Sequence, residues 1–282
     1  MNILKIINAA LSEMTKSEYR VAVYAGGNIS EFAFETLDSI SKKIGTSTTS
    51  VLRFCRRIGF LGYKELQESV RAELKANSSL PDKFAKTANE TADNGIAFGI
   101  CNKAQACIKR TFDELSPEML DKAVSFLIHA GRILTFGMRE SYALAHYACT
   151  RLITVRRDVS VLPVGYNGEV EYLLSINEKD VCLVFLFHRY TAESLRVLKR
   201  LKERGVKILL VSAAPYDKIA EYADVLLPCY VDVGGLKNSS VAPVALVDCI
   251  CNAVAIKLGD NALEYMRMCE AEFKNLDLLS DL

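Results

Sequence analysis

Between Ser39 and Lys64 the chain carries six cationic side chains, Lys42, Lys43, Arg53, Arg56, Arg57 and Lys64, and no acidic one. A local excess of ammonium and guanidinium groups is what phosphate recognition requires. The hydroxyls of Ser47, Thr48, Thr49 and Ser50 fall in the same stretch and can hydrogen-bond base edges or phosphates. One helical turn farther on, Arg53 can fork onto a guanine, a contact worth ~1–3 kcal/mol of discrimination when bidentate. Arg56 and Arg57 lie farther along and suit phosphates better. The chemistry is that of a DNA reader.

Those groups work only if short elements hold them. Thr36 to Phe60 reads as two helices joined by a glycine turn. Ile40, Ile44, Val51 and Phe54 are spaced to form a small core between the helices, Ser41 is small enough for close approach, and Gly45 tolerates the positive φ of a tight turn. Ser47 is placed to cap the second helix, whose polar first turn then faces outward. The competing reading is a solvated surface helix that happens to be basic. Turn glycine, capping serine, polar first turn and absent acid together favour DNA binding.

The whole chain of 282 residues is 50% hydrophobic with a net charge of +1, long enough for two domains and uninformative in its total charge. Its nine cysteines are scattered, without a Cys-x-x-Cys pair, and the histidines His129, His146 and His188 are not grouped with them. They read as reduced core thiols, with no metal or other cofactor expected. The longest uninterrupted apolar run, Val181 to Phe187, is far below the ~20 residues that span a bilayer, so a soluble cytoplasmic protein is expected, with no membrane partner.

Apolar residues repeat at helical spacing from Asn2 to Leu74, and a polar stretch from Ala76 to Gly95 reads as a linker. A helical stretch near 96–115 and a helix opened by Ser116-Pro117 follow. Short apolar runs (132–136, 159–162, 181–187, 206–211, 225–227) then alternate with helical segments (141–155, 192–203, 215–222), and helices over 241–258 and 262–275 close the chain. Strands as uniformly apolar as 181–187 are covered on both faces, so the sheet should be parallel with helices on either side. The expected domains are an all-α helix-turn-helix domain at 1–76, a linker and connecting helix at 77–115, and an α/β domain at 116–282.

The run S-V-L-R-F-C-R-R-I-G-F-L-G-Y-K-E-L, Ser50 to Leu66, resembles the N-terminal domain of RpiR-type bacterial transcriptional regulators, and Thr15-Lys16-Ser17-Glu18 resembles the start of that domain's earlier helix. The resemblance implies a SIS (sugar isomerase) domain over the α/β part, and Leu120 to Leu258 is similar to one in strand order and spacing. Phe136-Gly137-Met138-Arg139-Glu140-Ser141 stands where that family has G-x-G-x-S, and 181–191 where it has a strand and an S-x-S-G-x-T loop. Such loops close backbone N–H groups on a phosphate at a helix N-terminus. Here Arg139 replaces the second glycine, and the loop reads Phe187-His188-Arg189-Tyr190-Thr191, keeping only the threonine.

The resemblance therefore implies an effector site of Gly137, Arg139, Ser141, His188, Arg189, Tyr190, Thr191 and Ser239. In it, guanidinium charge replaces backbone donors and Tyr190 packs on a sugar. The alternative is that the larger side chains fill the pocket and the domain only dimerises. The implied function is a non-catalytic regulator that senses a small anionic metabolite such as a sugar phosphate. Its partners would be double-stranded DNA with a palindromic operator and further copies of itself, as a homodimer or homotetramer. The rival is an aldose-ketose isomerase, for which Glu140, Glu169, Glu171 and His188 are the available acid-base groups.

Overall fold

The computed structural model describes residues 3–29, 31–76, 95–165, 169–188, 190–213, 217–233 and 237–277. They divide into two compact units, Met1–Glu90 and Thr91–Leu282. The expected linker, from residue 77 to 94, lies outside the described residues.

The described residues of the first unit form helices and no strand: α1 (Ile3–Ala10), α2 (Lys16–Asn28), α3 (Glu31–Phe34), α4 (Leu37–Ile44), α5 (Thr48–Arg57) and α6 (Tyr63–Ala76). Capping chemistry sets the boundaries. The hydroxyls of Thr15, Thr36 and Ser47 each accept the N–H three residues on, closing the first turns of α2, α4 and α5. Gly45 ends α4 in the left-handed conformation, φ +69°, which a side chain at that position would strain. Ile3, Val21, Phe32, Ile40, Val51, Phe54 and Leu66 meet in one core. Burying them stabilises these short helices far more than their propensities do.

The second unit begins with α7 (Ile96–Glu114) and α8 (Pro117–His129), the latter with Ser116 as N-cap and proline at its first position. Strands β1 (Ile133–Phe136), β2 (Val159–Val161), β3 (Val181–Phe185), β4 (Lys207–Ser212) and β5 (Val225–Pro228) form a sheet of order β2-β1-β3-β4-β5. Every pairing is parallel, with Ile133 opposite both Val159 and Val181. The crossovers run through α9 (Glu140–Leu152), α10 (Glu169–Ser175) and α11 (Ala192–Glu203), and α12 (Val241–Leu258) and α13 (Asp260–Asn275) follow.

Alternation along the strands divides the core into two layers. Ile133, Leu183 and Phe185 pack with residues of α7, α8, α9 and α12, while Leu134, Phe136, Cys182 and Val184 pack with α11 and Ile219 on the other face. Burial pushes the thiols of Cys55, Cys229 and Cys251 up to about 12, so they are neutral core groups. The segment expected to be helical over 215–222 is a 3-10 helix, Asp217–Tyr222, where it is described.

One helix, Val241–Leu258, is long and apolar enough by length and composition to cross a membrane, yet its inner face supplies Leu246, Val247, Ile250 and Val254 to the core. The strand edge away from the candidate site is fastened by Arg132. Its guanidinium donates to both oxygens of the buried Asp180, at 3.1 and 2.7 Å.

Candidate functional site

Two places bring functional side chains together, one in each unit. In the first, α4 and α5 form the expected helix pair. Ile40, Val51 and Phe54 are fully buried between the helices, and Ser41 is buried with its hydroxyl on the Asp38 carbonyl at 2.9 Å. Ser47 Oγ accepts the Ser50 N–H at 3.2 Å and lies 2.9 Å from Ser50 Oγ. Thr49, Arg53 and Arg56 are exposed and spaced four and three residues apart, so they share one face of α5. Thr48 and Ser50 are half-buried, and Lys42 is exposed at the end of α4.

Two cations of the stretch form ion pairs within the unit. Lys43 Nζ bonds Glu31 at 2.8 Å and Glu35 at 3.0 Å; burial opposes its charge, but the two carboxylates raise its pKa above the ordinary lysine value. Arg57 lies 3.8 Å from Glu18 and 3.9 Å from Glu13. Lys43 and Arg57 were expected to meet DNA, and both face carboxylates of their own domain. None of these four carboxylates falls inside the basic stretch, so the reading of that stretch alone missed them.

The second place is where the sheet reverses its winding. In the order β2-β1-β3-β4-β5 the chain leaves β1 toward β2 and resumes at β3 on the other side, and in sheets of this kind ligands bind outside the carboxyl ends of the strands at such a switch point, here β1 and β3. The loop from Gly137 and the loop to Thr191 leave those two ends. Gly137 lies directly against the first turn of α9: a Cβ there would meet the Ser141 carbonyl oxygen at 2.3 Å. Arg139, the N-cap of α9, has φ 56° and ψ −121°. That positive φ is one that glycine adopts more readily than other residues, and the Arg139 side chain is exposed.

The Ser141 hydroxyl is half-buried and makes no hydrogen bond among the described residues. Thr191 caps α11, accepting the Ser194 N–H at 3.1 Å, and also reaches Met138 Sδ at 3.4 Å, which ties the two loops together. His188 is exposed, and Tyr190 is half-buried against the core layer formed with α11. Ser239 N–H donates to the Val231 carbonyl at 2.7 Å and its hydroxyl accepts the Val241 N–H at 3.3 Å, at the start of α12. Arg189 lies outside the described residues.

Residues 1–77 match the family described as helix-turn-helix domain, rpiR family, and residues 126–249 match the SIS domain. The chain belongs to the rpiR family, with a SIS domain attached. An uncharacterized HTH-type transcriptional regulator of Haemophilus influenzae is 24% identical over 246 residues, covering 85% of this chain and 84% of that protein. The HTH-type transcriptional regulator HexR of Pseudomonas aeruginosa is 22% identical over 279 residues, covering 94% of this chain and 93% of its own. Among solved structures, the Vibrio vulnificus NanR protein complexed with ManNAc-6P has the same fold, with a TM-score of 0.59 at 16% identity over 99% of this chain and 100% of that one.

This rpiR-family protein is accordingly a transcriptional regulator with a SIS domain. Two of its features escape a reading by family pattern. Lys237, in the segment before α12, forms an ion pair with Glu140, the first residue of α9; no local pattern joins positions so far apart in sequence. Glu169 accepts the Gly165 N–H at 2.6 Å, so two of the carboxylates considered for isomerase chemistry already hold structural partners.

The strained backbone at Arg139 makes a direct prediction. A non-glycine residue held at positive φ costs ~1–3 kcal/mol, and glycine would give back part of that through its greater freedom when unfolded. Arg139→Gly should therefore raise the melting temperature of the second unit by roughly 2–4 °C, for ~1 kcal/mol net. Calorimetry checks it, and a fall in melting temperature would contradict the strain.

Proposed function

We propose that this regulator is non-catalytic and cytoplasmic, reads a palindromic operator in double-stranded DNA, and senses a small anionic metabolite of the sugar phosphate class through its SIS domain. The reading keeps the three domains expected from sequence, with the DNA reader at 1–76, a connection at 77–115 and the sensor at 116–282. The observation that carries it is the switch point between β1 and β3. There a glycine turn, the exposed Arg139 and an unengaged Ser141 hydroxyl in the first turn of α9 follow one another along the chain, next to a helix N-terminus that favours an anion. That NanR was solved with ManNAc-6P supports the ligand class.

Thr191 and Ser239 serve as the frame of this site, since their hydroxyls are engaged by capping. Arg139, Ser141, His188 and Arg189 are the groups proposed to meet the ligand, and Tyr190 forms a wall. On the DNA side, Thr48, Thr49, Ser50 and Arg53 are proposed to read bases, with Lys42, Ser47 and Arg56 on phosphates.

A homodimer fits α12. This helix is largely apolar, with Asp248, Asn252 and Lys257 as its polar residues, and such a helix is normally buried, yet only 39% of it is buried within one chain. A single recognition helix also buries too little surface for operator selectivity, which favours two-fold pairing.

Two measurements test the reading. In a thermal-shift panel of phosphorylated sugars and sugar acids, a ligand at about 100 times its Kd adds ~2.7 kcal/mol. The SIS domain should then melt roughly 5–10 °C higher, and Ser141→Ala should reduce the shift. No shift from any member would favour a domain that only dimerises, and turnover of a sugar phosphate in a coupled assay would make it an isomerase. On a duplex selected from a randomised pool, Arg53→Ala should lose ~1–3 kcal/mol of preference over mixed-sequence DNA. Unchanged preference would remove Arg53 from the groove.

A further inference from the structure

The buried carboxylate that faces Arg57 at the end of α5 belongs to Glu18. Glu18, in the first turn of α2, is 4% exposed. It completes a capping box: the Thr15 N–H donates to its Oε2 at 2.8 Å, and the Thr15 hydroxyl accepts its N–H at 3.4 Å. Glutamine serves a capping box equally well, so the cap alone does not call for a charge.

Burying that charge costs several kcal/mol unless it is paired. The partner comes from α5: Arg57 Nη2 is 3.8 Å from Glu18 Oε2, and Arg57 Nη1 is 3.9 Å from Glu13. The Thr15 backbone bond holds the Glu18 carboxyl below the usual range against the effect of burial, and Arg57 and then Arg53 add to it, so Glu18 is ionised at neutral pH. The helix before the turn repeats the device, with Lys43 on Glu31 and Glu35. Lys42, Arg53, Arg56 and Lys64 form no ion pair among the described residues.

We infer that Glu18 is a positioning residue that draws Arg57 back onto its own domain, so that Arg57 fixes the end of α5 against α2 instead of neutralising a DNA phosphate. The inference rests on the DNA-reading function proposed above. It separates the basic cluster into clamps, Lys43 and Arg57, and contacts, Arg53 and Arg56. It also gives the Thr15-Lys16-Ser17-Glu18 segment a task beyond starting a helix: the same carboxylate closes α2 and sets the angle of α5.

The test is the salt dependence of binding to a mixed-sequence duplex about three helical turns long, where each neutralised phosphate contributes about 0.9 to the slope of log K against log salt. Arg56→Ala should flatten the slope by about 0.9, and Arg57→Ala should leave it unchanged. Glu18→Gln keeps the capping acceptor and frees Arg57, so the slope should steepen by about 0.9, and Glu18→Gln combined with Arg57→Ala should return it to the parent value. These slopes separate a clamp from a general loss of fold, which would weaken binding in every variant. The inference is overturned if Arg57→Ala flattens the slope as Arg56→Ala does, or if folded Glu18→Gln matches the parent. Should Glu18→Gln fail to fold by circular dichroism, the Arg57→Ala slope decides alone. A parent protein without salt-dependent binding would overturn the DNA reading itself, and this inference with it.

Discussion

Phe54→Ala should abolish DNA binding by unfolding the reader without touching a DNA-facing atom. Phe54 is fully buried between α4 and α5, in contact with the core that also holds Ile40, Val51 and Leu66. Truncating a buried phenylalanine costs ~3–5 kcal/mol, transfer and cavity terms together. A domain of this size has only ~5–15 kcal/mol in total, and each kcal/mol moves its melting temperature by roughly 4–8 °C. The N-terminal transition should therefore fall by at least about 12 °C in calorimetry, with operator and mixed-sequence binding lost together near physiological temperature. Loss of operator preference with retained mixed-sequence affinity would instead mark Phe54 as a specificity residue, which its burial forbids.

The second large effect is expected at Gly137. A methyl group there would stand 2.3 Å from the Ser141 carbonyl oxygen and 2.6 Å from its carbon. Both are backbone atoms of α9, so no rotamer change relieves the overlap and the first turn of the helix must move. Overpacking costs ~1–3 kcal/mol, and a rigid backbone neighbour puts Gly137→Ala at about 3 kcal/mol, or roughly 6–12 °C for a unit of this size. The displaced turn carries Ser141 and the helix N-terminus, so any thermal shift given by a sugar phosphate should vanish as well. A variant that melts like the parent would show that the turn yields easily and that glycine is not required there.

Much of this architecture is written in local chemistry. Ser47 and Ser116 each cap the helix their position announces, and Gly45 takes the left-handed conformation its place in the turn demands. The strands at 181–185 and 207–212 stand out because burial on both faces leaves no polar residue between their ends. Segment 215–222 was less legible: a short amphipathic run fits a 3-10 helix and an α-helix equally, and tertiary packing of Ile219 decides.

Site residues were harder to read than elements. Lys43 and Arg57 look like DNA contacts to any inspection of the basic stretch, because the carboxylates that engage them come from α2, α3 and the segments beside them. Arg139 reads as a departure from the phosphate-binding pattern, yet it holds a positive φ that glycine adopts more readily; φ is a property of the loop closure between β1 and α9, and the residue type does not reveal it. Tyr190 is suited by composition to sugar stacking, and the core layer that half-buries it is not legible in the loop's own residues.

The parallel sheet has a consequence for how the molecule comes into being. β1 has both neighbours later in the chain, Val159 and Val181 opposite Ile133, and β3 must await Lys207 on its far side. Pairings of such sequence separation close slowly, whereas helices meeting their near neighbours fold on a much shorter timescale. Synthesis also delivers the N-terminal unit first. A nascent chain therefore passes through a period in which the helix-turn-helix unit is folded and the SIS domain is not.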